Sequence, residues 1–261
     1  MGSLSGQSAW ITGAGTGIGR ETAILLAAEG AEVVLIGRRE APLRDTANGV
    51  AGAGGSATVL VLDIGSRQAI REAQRGLPER LRGPDILVNN AGAAGRNRNA
   101  LYIDEKEWSE VVRLNLDAVH ALVQAVLPAM LDRKRGAIIT VSSLAAVNAN
   151  LLGGAAYGAA KAAVRNFMGF LHNTHRNEGI RAMTILPGEV DTPILDSRPR
   201  PPTPEERARM LAPQDVARAI LLCASLPASA MIPELHICPT FQRDISADLE
   251  AARRLGAPGG D

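Results

Sequence analysis

Aromatic residues are scarce in this chain of 261 residues: three Phe, two Tyr and two Trp, 3% of the total. Alanine, glycine, valine and leucine must fill the interior instead, which suits helices packed closely on a sheet. Cysteine is scarcer still, with Cys223 and Cys238 alone. Two cysteines give neither a disulfide framework nor a metal-binding spacing, and they fit a reducing, cytoplasmic setting. Excess charge of either sign is also missing. Basic side chains number 28 against 27 acidic ones, a formal +1, and no long basic run offers a surface to nucleic acid or to an anionic membrane. No apolar run reaches the ~18 residues of a spanning helix, and the first ten residues lack the basic and apolar blocks of a signal peptide. His172 and His175 lie three apart with no cysteine or carboxylate to complete a site, so they are expected at the surface and no metal is expected.

A hydrophobic content of 46% is enough for a large core, and one α/β domain of this length is ordinary. Ser8–Thr12 reads as a short buried strand and Ile18–Glu29 as a helix. Between them lies Thr12-Gly-Ala-Gly-Thr-Gly-Ile-Gly19. Glycines there permit a tight turn and a close backbone approach, and the helix start offers unpaired N–H groups to a pyrophosphate. Further strands are expected at Glu32–Ile36, Ala57–Leu62, Asp85–Asn89, Gly136–Val141, Arg181–Leu186 and Met231–Cys238. Asp104–Leu131 reads as one long helix entered by a capping box of Asp104 and Glu107.

Lysine is used only at Lys106, Lys134 and Lys161, and Lys161 stands four residues after Tyr157. On a helix over Ala155–Asn173 the two side chains share a face one turn apart. A cation ~5 Å from a phenol is worth ~3 kcal/mol at an effective dielectric of ~20, about two pKa units. That would let the phenol exchange protons near neutrality.

Taken in order, Thr12–Gly19, Asn89-Asn-Ala-Gly92, Asn115, Ser143, Tyr157 with Lys161, and Pro187-Gly188 with Thr192 resemble the short-chain dehydrogenase/reductase family, over nearly the whole chain. The pattern is similar to the 3-oxoacyl-ACP reductases and to the NADP-preferring type. The resemblance implies a single doubly wound (Rossmann) α/β domain over residues 1–261, a seven-stranded parallel sheet with helices on both faces. It implies Asn115, Ser143, Tyr157 and Lys161 as the catalytic set. Ser143 would hold the substrate carbonyl, Tyr157 transfer the proton, Lys161 lower the phenol pKa and hold the nicotinamide ribose, and Asn115 bind a relay water. The separation of Ser143 from Tyr157 is one residue longer than the commonest family spacing, which leaves Ser142 as a competitor for the role of Ser143.

The cofactor-binding residues implied are Gly13, Gly15, Thr16, Gly17, Ile18 and Gly19 in the turn, with Asp63 and Ile64 beside the adenine. Asn90, Ala91 and Gly92 would pass beneath the cofactor, and Pro187, Gly188, Val190 and Thr192 would hold the carboxamide, alongside Tyr157 and Lys161. Asp63 also reads as a helix cap, and Thr192 as the start of a helix. An acidic residue at the end of the second strand selects NAD. Here Gly37 takes that slot, followed by Arg38 and Arg39, so NADP is favoured and NAD stays possible. Arg39 also reads as a residue on the solvated face of the next helix.

The expected reaction is hydride transfer between this cofactor and a small ketone or secondary alcohol. An NAD-dependent alcohol dehydrogenase and a catalytically silent dinucleotide-sensing regulator are the alternatives. A substrate lid is expected at about 190–212 and a flexible tail at about 256–261. Arg96 and Arg98 read as solvated loop residues more than as an anion site, and Arg198 and Arg200 as solvated lid residues more than as contacts to an acidic substrate. A glycine pair usual after the last strand is replaced by Pro239-Thr240-Phe241. The family resemblance also implies a homotetramer or a homodimer.

Overall fold

Alternation along the strands sets the layering. In β1 (Ser8–Thr12), Ala9 and Ile11 enter one core and Trp10 the other; in β2 (Glu32–Gly37), Val33 and Leu35 oppose Val34 and Ile36. Both sets are buried, as they must be when helices cover both faces of a parallel sheet. The computed structural model describes residues 2–257. It adds β3 (Ser56–Val61), β4 (Ile86–Asn89), β5 (Gly136–Val141), β6 (Ile180–Pro187) and β7 (Glu234–Ile237). The seven strands are parallel, in the order β3-β2-β1-β4-β5-β6-β7. Chain order reverses direction at β1, so the carboxyl ends of β1 and β4 flank the crevice where such sheets bind ligands. The fold is a doubly wound α/β domain.

Along the chain come α1 (Gly17–Ala28), α2 (Glu40–Gly52), α3 (Arg67–Gly76), α4 (Glu79–Arg82) and α5 (Glu105–Val112). After them come α6 (Ala118–Asp132), α7 (Ala155–His175), α8 (Pro204–Arg207), α9 (Pro213–Ser225) and α10 (Ser246–Arg254). Residues of α1, α2 and α9 build one core; residues of α3, α6 and α7 build the other. Trp10 sits in the second, where its indole N–H donates to the Leu81 carbonyl at 2.7 Å.

The helix expected over Asp104–Leu131 is interrupted by a π-turn at Arg113–Asp117. Asn115 is the physical reason: its side-chain Nδ2 donates to the carbonyl of Val111, four residues back, at 2.8 Å, the acceptor an α-helical backbone would use. The capping box is only half made. Asp104 accepts from the Glu107 N–H at 2.7 Å, while the Glu107 carboxylate turns to the Asn97 N–H at 2.9 Å. The run Glu105–Asp132 is long and apolar enough by length and composition to cross a membrane, although polar residues interrupt it, and half of its most apolar window is buried inside the domain, as in a core helix. The last strand is shorter than expected, and the turn of helix after Thr203 ends at Arg207, ahead of the bridge between Leu211 and Val190. Of the expected tail, residues 258–261 lie outside the described residues. Gly256 is held beside Tyr102 and Asn97.

Candidate active site

The turn between β1 and α1 is shaped by backbone conformations that favour glycine. Gly13 and Gly17 have φ of +66° and +54°, and a Cβ on Gly17 would stand 3.0 Å from the Thr192 methyl. Gly15 packs against Pro42. Gly19 does not line the cleft: a Cβ there would lie 2.3 Å from the Gly13 carbonyl oxygen, so its role is to let α1 pack against the turn. Thr16 precedes α1 without a side-chain capping bond, which leaves the first N–H groups of the helix, including that of Ile18, without a side-chain cap. Thr12 fastens the turn to the next strand, its hydroxyl accepting from the N–H groups of Asn90 and Ala91 at 2.9 and 3.0 Å.

From this turn a cleft of about 890 Å³ runs along the carboxyl ends of the strands. At one end are Arg38 and Arg39, both exposed and, among the described residues, without an ion-pair partner. Asp63 and Ile64 line the same end. Asp63 is not the helix cap: its carboxylate accepts from the Gly65 N–H at 2.9 Å, and Ser66 caps α3. Asn90, Ala91 and Gly92 form the floor.

Mid-cleft, β5 delivers two serines with different partners. Ser142 is buried and its hydroxyl donates to the Lys161 carbonyl at 3.0 Å. Ser143 accepts from the Ala145 N–H at 3.1 Å and its hydroxyl lies against the Tyr157 phenol. Tyr157 and Lys161 share one face of α7, with Nζ 5.5 Å from the ring centroid. Lys161 is only 4% exposed, and its ammonium donates to the Val141 carbonyl at 2.8 Å. Burial pulls the Lys161 pKa down to about 8.

The phenol departs from the sequence expectation. Burial raises the Tyr157 pKa above its ordinary value, while the Ser143 hydroxyl and then the Arg98 and Arg198 cations pull it down without reversing the rise. The Lys161 ammonium, 5.5 Å from the ring centroid, is itself desolvated and turned to the Val141 carbonyl, and burial outweighs the cations around the phenol. Asn115 lies beneath Gly92, whose added Cβ would stand 2.5 Å from Asn115 Oδ1 and 3.4 Å from Lys161 Nζ. Its Nδ2 also donates to the Ala93 carbonyl at 2.7 Å, and its buried Oδ1 has no partner among the described residues.

Beyond Tyr157 the cleft is walled by Pro187, Gly188, Val190 and Thr192. Thr192 opens a short 3₁₀ turn, Pro193–Ser197, without capping it; its hydroxyl donates to the Val190 carbonyl at 3.3 Å. Residues 7–202 match the sequence profile of the short chain dehydrogenases. The chain belongs to the short-chain dehydrogenase family. It is an NAD(P)-dependent oxidoreductase, and the relatives named below match along nearly their full length. An uncharacterized oxidoreductase of Staphylococcus aureus strain MW2 is 31% identical over 236 residues, 90% of this chain and 98% of the relative. A metagenomic short-chain oxidoreductase solved in complex with NADP is 33% identical with a TM-score of 0.79, covering 92% of this chain and 100% of that one. The closed form of a serine dehydrogenase complexed with NADP+ is 30% identical with a TM-score of 0.83, covering 91% and 96%.

Sequence reasoning missed the charged end of this dehydrogenase's cleft. Arg98, read as a solvated loop residue, is 3% exposed and lines the cleft. Arg198, read as a solvated lid residue, has its side chain 12% exposed and paired with Glu189 at 2.7 Å. Arg243, which nothing in the sequence singled out, pairs with Glu189 at 2.8 Å and Asp248 at 2.9 Å. Arg200 joins the same cluster through Glu206 and Asp248. Burial pushes the Glu189 carboxyl up, but the hydrogen bonds from Arg243 and Arg198 overcome it and hold the pKa below the usual range. Asp248 comes from α10, so the last helix of the dehydrogenase buttresses the segment 189–207. Pro239 and Phe241, standing where the family has a glycine pair, also line the cleft.

Proposed function

We propose that this dehydrogenase is an NADPH-dependent carbonyl reductase, able to run in reverse as an alcohol dehydrogenase. The observation that carries the reading is the convergence of the Tyr157 phenol and the Ser143 hydroxyl on the wall of a cleft that begins at the uncapped start of α1. The site fits a dinucleotide: glycines with positive φ leave room for close backbone approach, and the orphaned Asn115 Oδ1 awaits a donor. When bound, the nicotinamide supplies or takes up the hydride. The start of α1, with Gly13, Gly15, Thr16, Gly17 and Ile18, holds the pyrophosphate, and Gly19 keeps the helix close. Arg38 and Arg39 hold the 2′-phosphate, which supports NADP over NAD. Asp63 and Ile64 bind the adenine, Lys161 the ribose hydroxyls, and Pro187, Gly188, Val190 and Thr192 the carboxamide.

Ser143 donates a hydrogen bond to the substrate carbonyl oxygen, and Tyr157 gives its phenolic proton to that oxygen as alkoxide character develops. A phenol whose pKa is raised keeps its proton at neutral pH until then, which suits the reducing direction. Asn115 Oδ1 accepts from a water that reaches Lys161 and restores the phenol's proton. Segment 190–212 serves as the lid. Free Cys223 and Cys238 fit a cytoplasmic setting, and a homotetramer is the expected assembly, to be measured by sedimentation. A panel of ketones with NADPH or NADH, followed by loss of near-ultraviolet cofactor absorbance, tests the reading. Turnover with NADPH at a kcat/KM well above NADH is expected; cofactor binding without turnover of any carbonyl or alcohol would point to the silent regulator instead.

A further inference from the structure

Arg98 is fixed in place by the start of α7. Its carbonyl accepts from the Ala155 N–H at 3.0 Å, its Nη1 donates to the Gly153 carbonyl at 3.0 Å, and Gly154, with φ of +84°, packs on its stem. That single side-chain hydrogen bond does not require a cation. Among the described residues Arg98 has no carboxylate partner, and neither Nε nor Nη2 has a hydrogen-bond acceptor; Nε is shut from solvent. Burying an unpaired charge is expensive, and Arg198, of the same sign, lies near enough to repel it. The other arginines at this end are neutralised, Arg198 by Glu189 and Arg243 by Glu189 and Asp248. Glu107 lies near enough to favour the charge but its carboxylate accepts from the Asn97 N–H and forms no ion pair with Arg98, so among the described residues Arg98 is a cation without an ion-pair partner on the cleft wall, and it acts electrostatically on the Tyr157 phenol.

We propose that Arg98 binds the carboxylate of the substrate, so that the enzyme reduces a small oxo acid to the hydroxy acid. This rests on the carbonyl reductase reading: the oxo group sits at Ser143 and Tyr157 while the carboxylate takes the Nη2 end of the Arg98 guanidinium, Nε being enclosed by the protein. A guanidinium whose charge and Nη2 donors are unmatched suits a carboxylate. Pairing with a carboxylate would offset the desolvation cost of this guanidinium. Buried polar groups of this kind discriminate strongly, because a ligand lacking the complementary charge leaves them unpaired.

The test compares 3-oxobutanoate and 4-oxopentanoate with their methyl esters as substrates with NADPH, and adds acetonylphosphonate as a phosphonate counterpart of 3-oxobutanoate. The acids should exceed the esters in kcat/KM by on the order of 100-fold, and the carboxylate should be preferred to the phosphonate. Arg98→Gln should collapse the acid-to-ester ratio to near unity, and Arg98→Lys, which keeps the charge without the fork, should recover part of it. Esters equal to acids in the wild type, a preference for the phosphonate, or an Arg98→Gln variant that lowers acid and ester alike would each overturn the proposal. Should no probe turn over while NADPH still raises the melting temperature, the reductase reading has failed separately. The anion site is then judged by melting of the NADP complex with 3-hydroxybutanoate: stabilisation by the acid and not its ester, lost in Arg98→Gln, supports it, and any other pattern refutes it. If Arg98→Gln does not fold, the wild-type ratio and Arg98→Lys decide.

Discussion

Replacing Lys161 by methionine should make the protein more stable and inactive at once, and the size of the gain follows from its burial. A lysine that titrates near 10.5 when unfolded and at about 8 when folded is a group whose charge the native state resists. At pH 7 both states are protonated, and the native state bears the full penalty of about 2.5 pKa units, or about 3 kcal/mol. As pH rises from 8 to 10.5 the unfolded chain binds more protons than the native one, so stability climbs with pH; about 2.5 kcal/mol of the penalty is gone by pH 10. Methionine fills a similar volume without charge but leaves the Val141 carbonyl without its 2.8 Å donor, a loss of about 1 kcal/mol. Lys161→Met should therefore gain about 2 kcal/mol at pH 7, a rise of roughly 4–6 °C in Tm, and lose nearly all of it by pH 10. Melting of wild type and variant without cofactor, at matched concentration across pH 7 to 10, reads the difference with other titrations cancelling. A variant less stable than wild type at pH 7, or a difference that does not change with pH, would refute the account of this lysine as a strained cation.

Gly37→Asp combined with Arg38→Leu should move cofactor preference from NADP toward NAD, with kcat/KM for NADPH falling about 10- to 100-fold for the lost charged hydrogen bonds; unchanged selectivity would clear both positions of the role. Ser143→Ala should lower kcat on the order of 100-fold with little change in Tm, whereas Ser142→Ala, which removes the bond to the Lys161 carbonyl, should cost about 1 kcal/mol of stability and far less turnover; the reverse ranking would exchange their roles. Because the Tyr157 pKa is raised, the phenolate needed for alcohol oxidation is a minority species at neutral pH, and kcat/KM for oxidation should rise about tenfold per unit from about pH 6 to 8. A plateau in that range would contradict the raised value. Asn115→Leu strips donors from the carbonyls of Ala93 and Val111 and should destabilise by about 2–4 kcal/mol in urea melts.

The sheet, its layering and most of the lining of the cleft around the β1–α1 turn were legible because they rest on local signals: period-two strands, glycines where φ must be positive, and short motifs at strand ends. The π-turn at Asn115 was hidden, since the periodicity of leucines and valines runs through it and only a side-chain hydrogen bond breaks the helix. The state of Tyr157 was hidden too. Spacing gives the distance to Lys161 but not the burial that dominates both pKa values. Arg98 and Arg198 carry no local mark of burial, because arginine in a loop of Asn, Gly and Pro reads as solvated; it is the start of α7 and the carboxylate of Glu189 that enclose them. Asp248 arrives from α10, too far along the chain for any pattern near the lid to reveal it.

The docking of α10 has a consequence for biosynthesis. Asp248 holds Arg243 and Arg200, and through Arg243 the Glu189 that orders Arg198. A nascent chain can assemble β1 to β6 and the floor of the cleft before α10 has been made, but the mouth has no Asp248 buttress until then. Proteolytic trimming beyond Arg243 would leave every strand in place while stripping Arg243 and Arg200 of the Asp248 carboxylate.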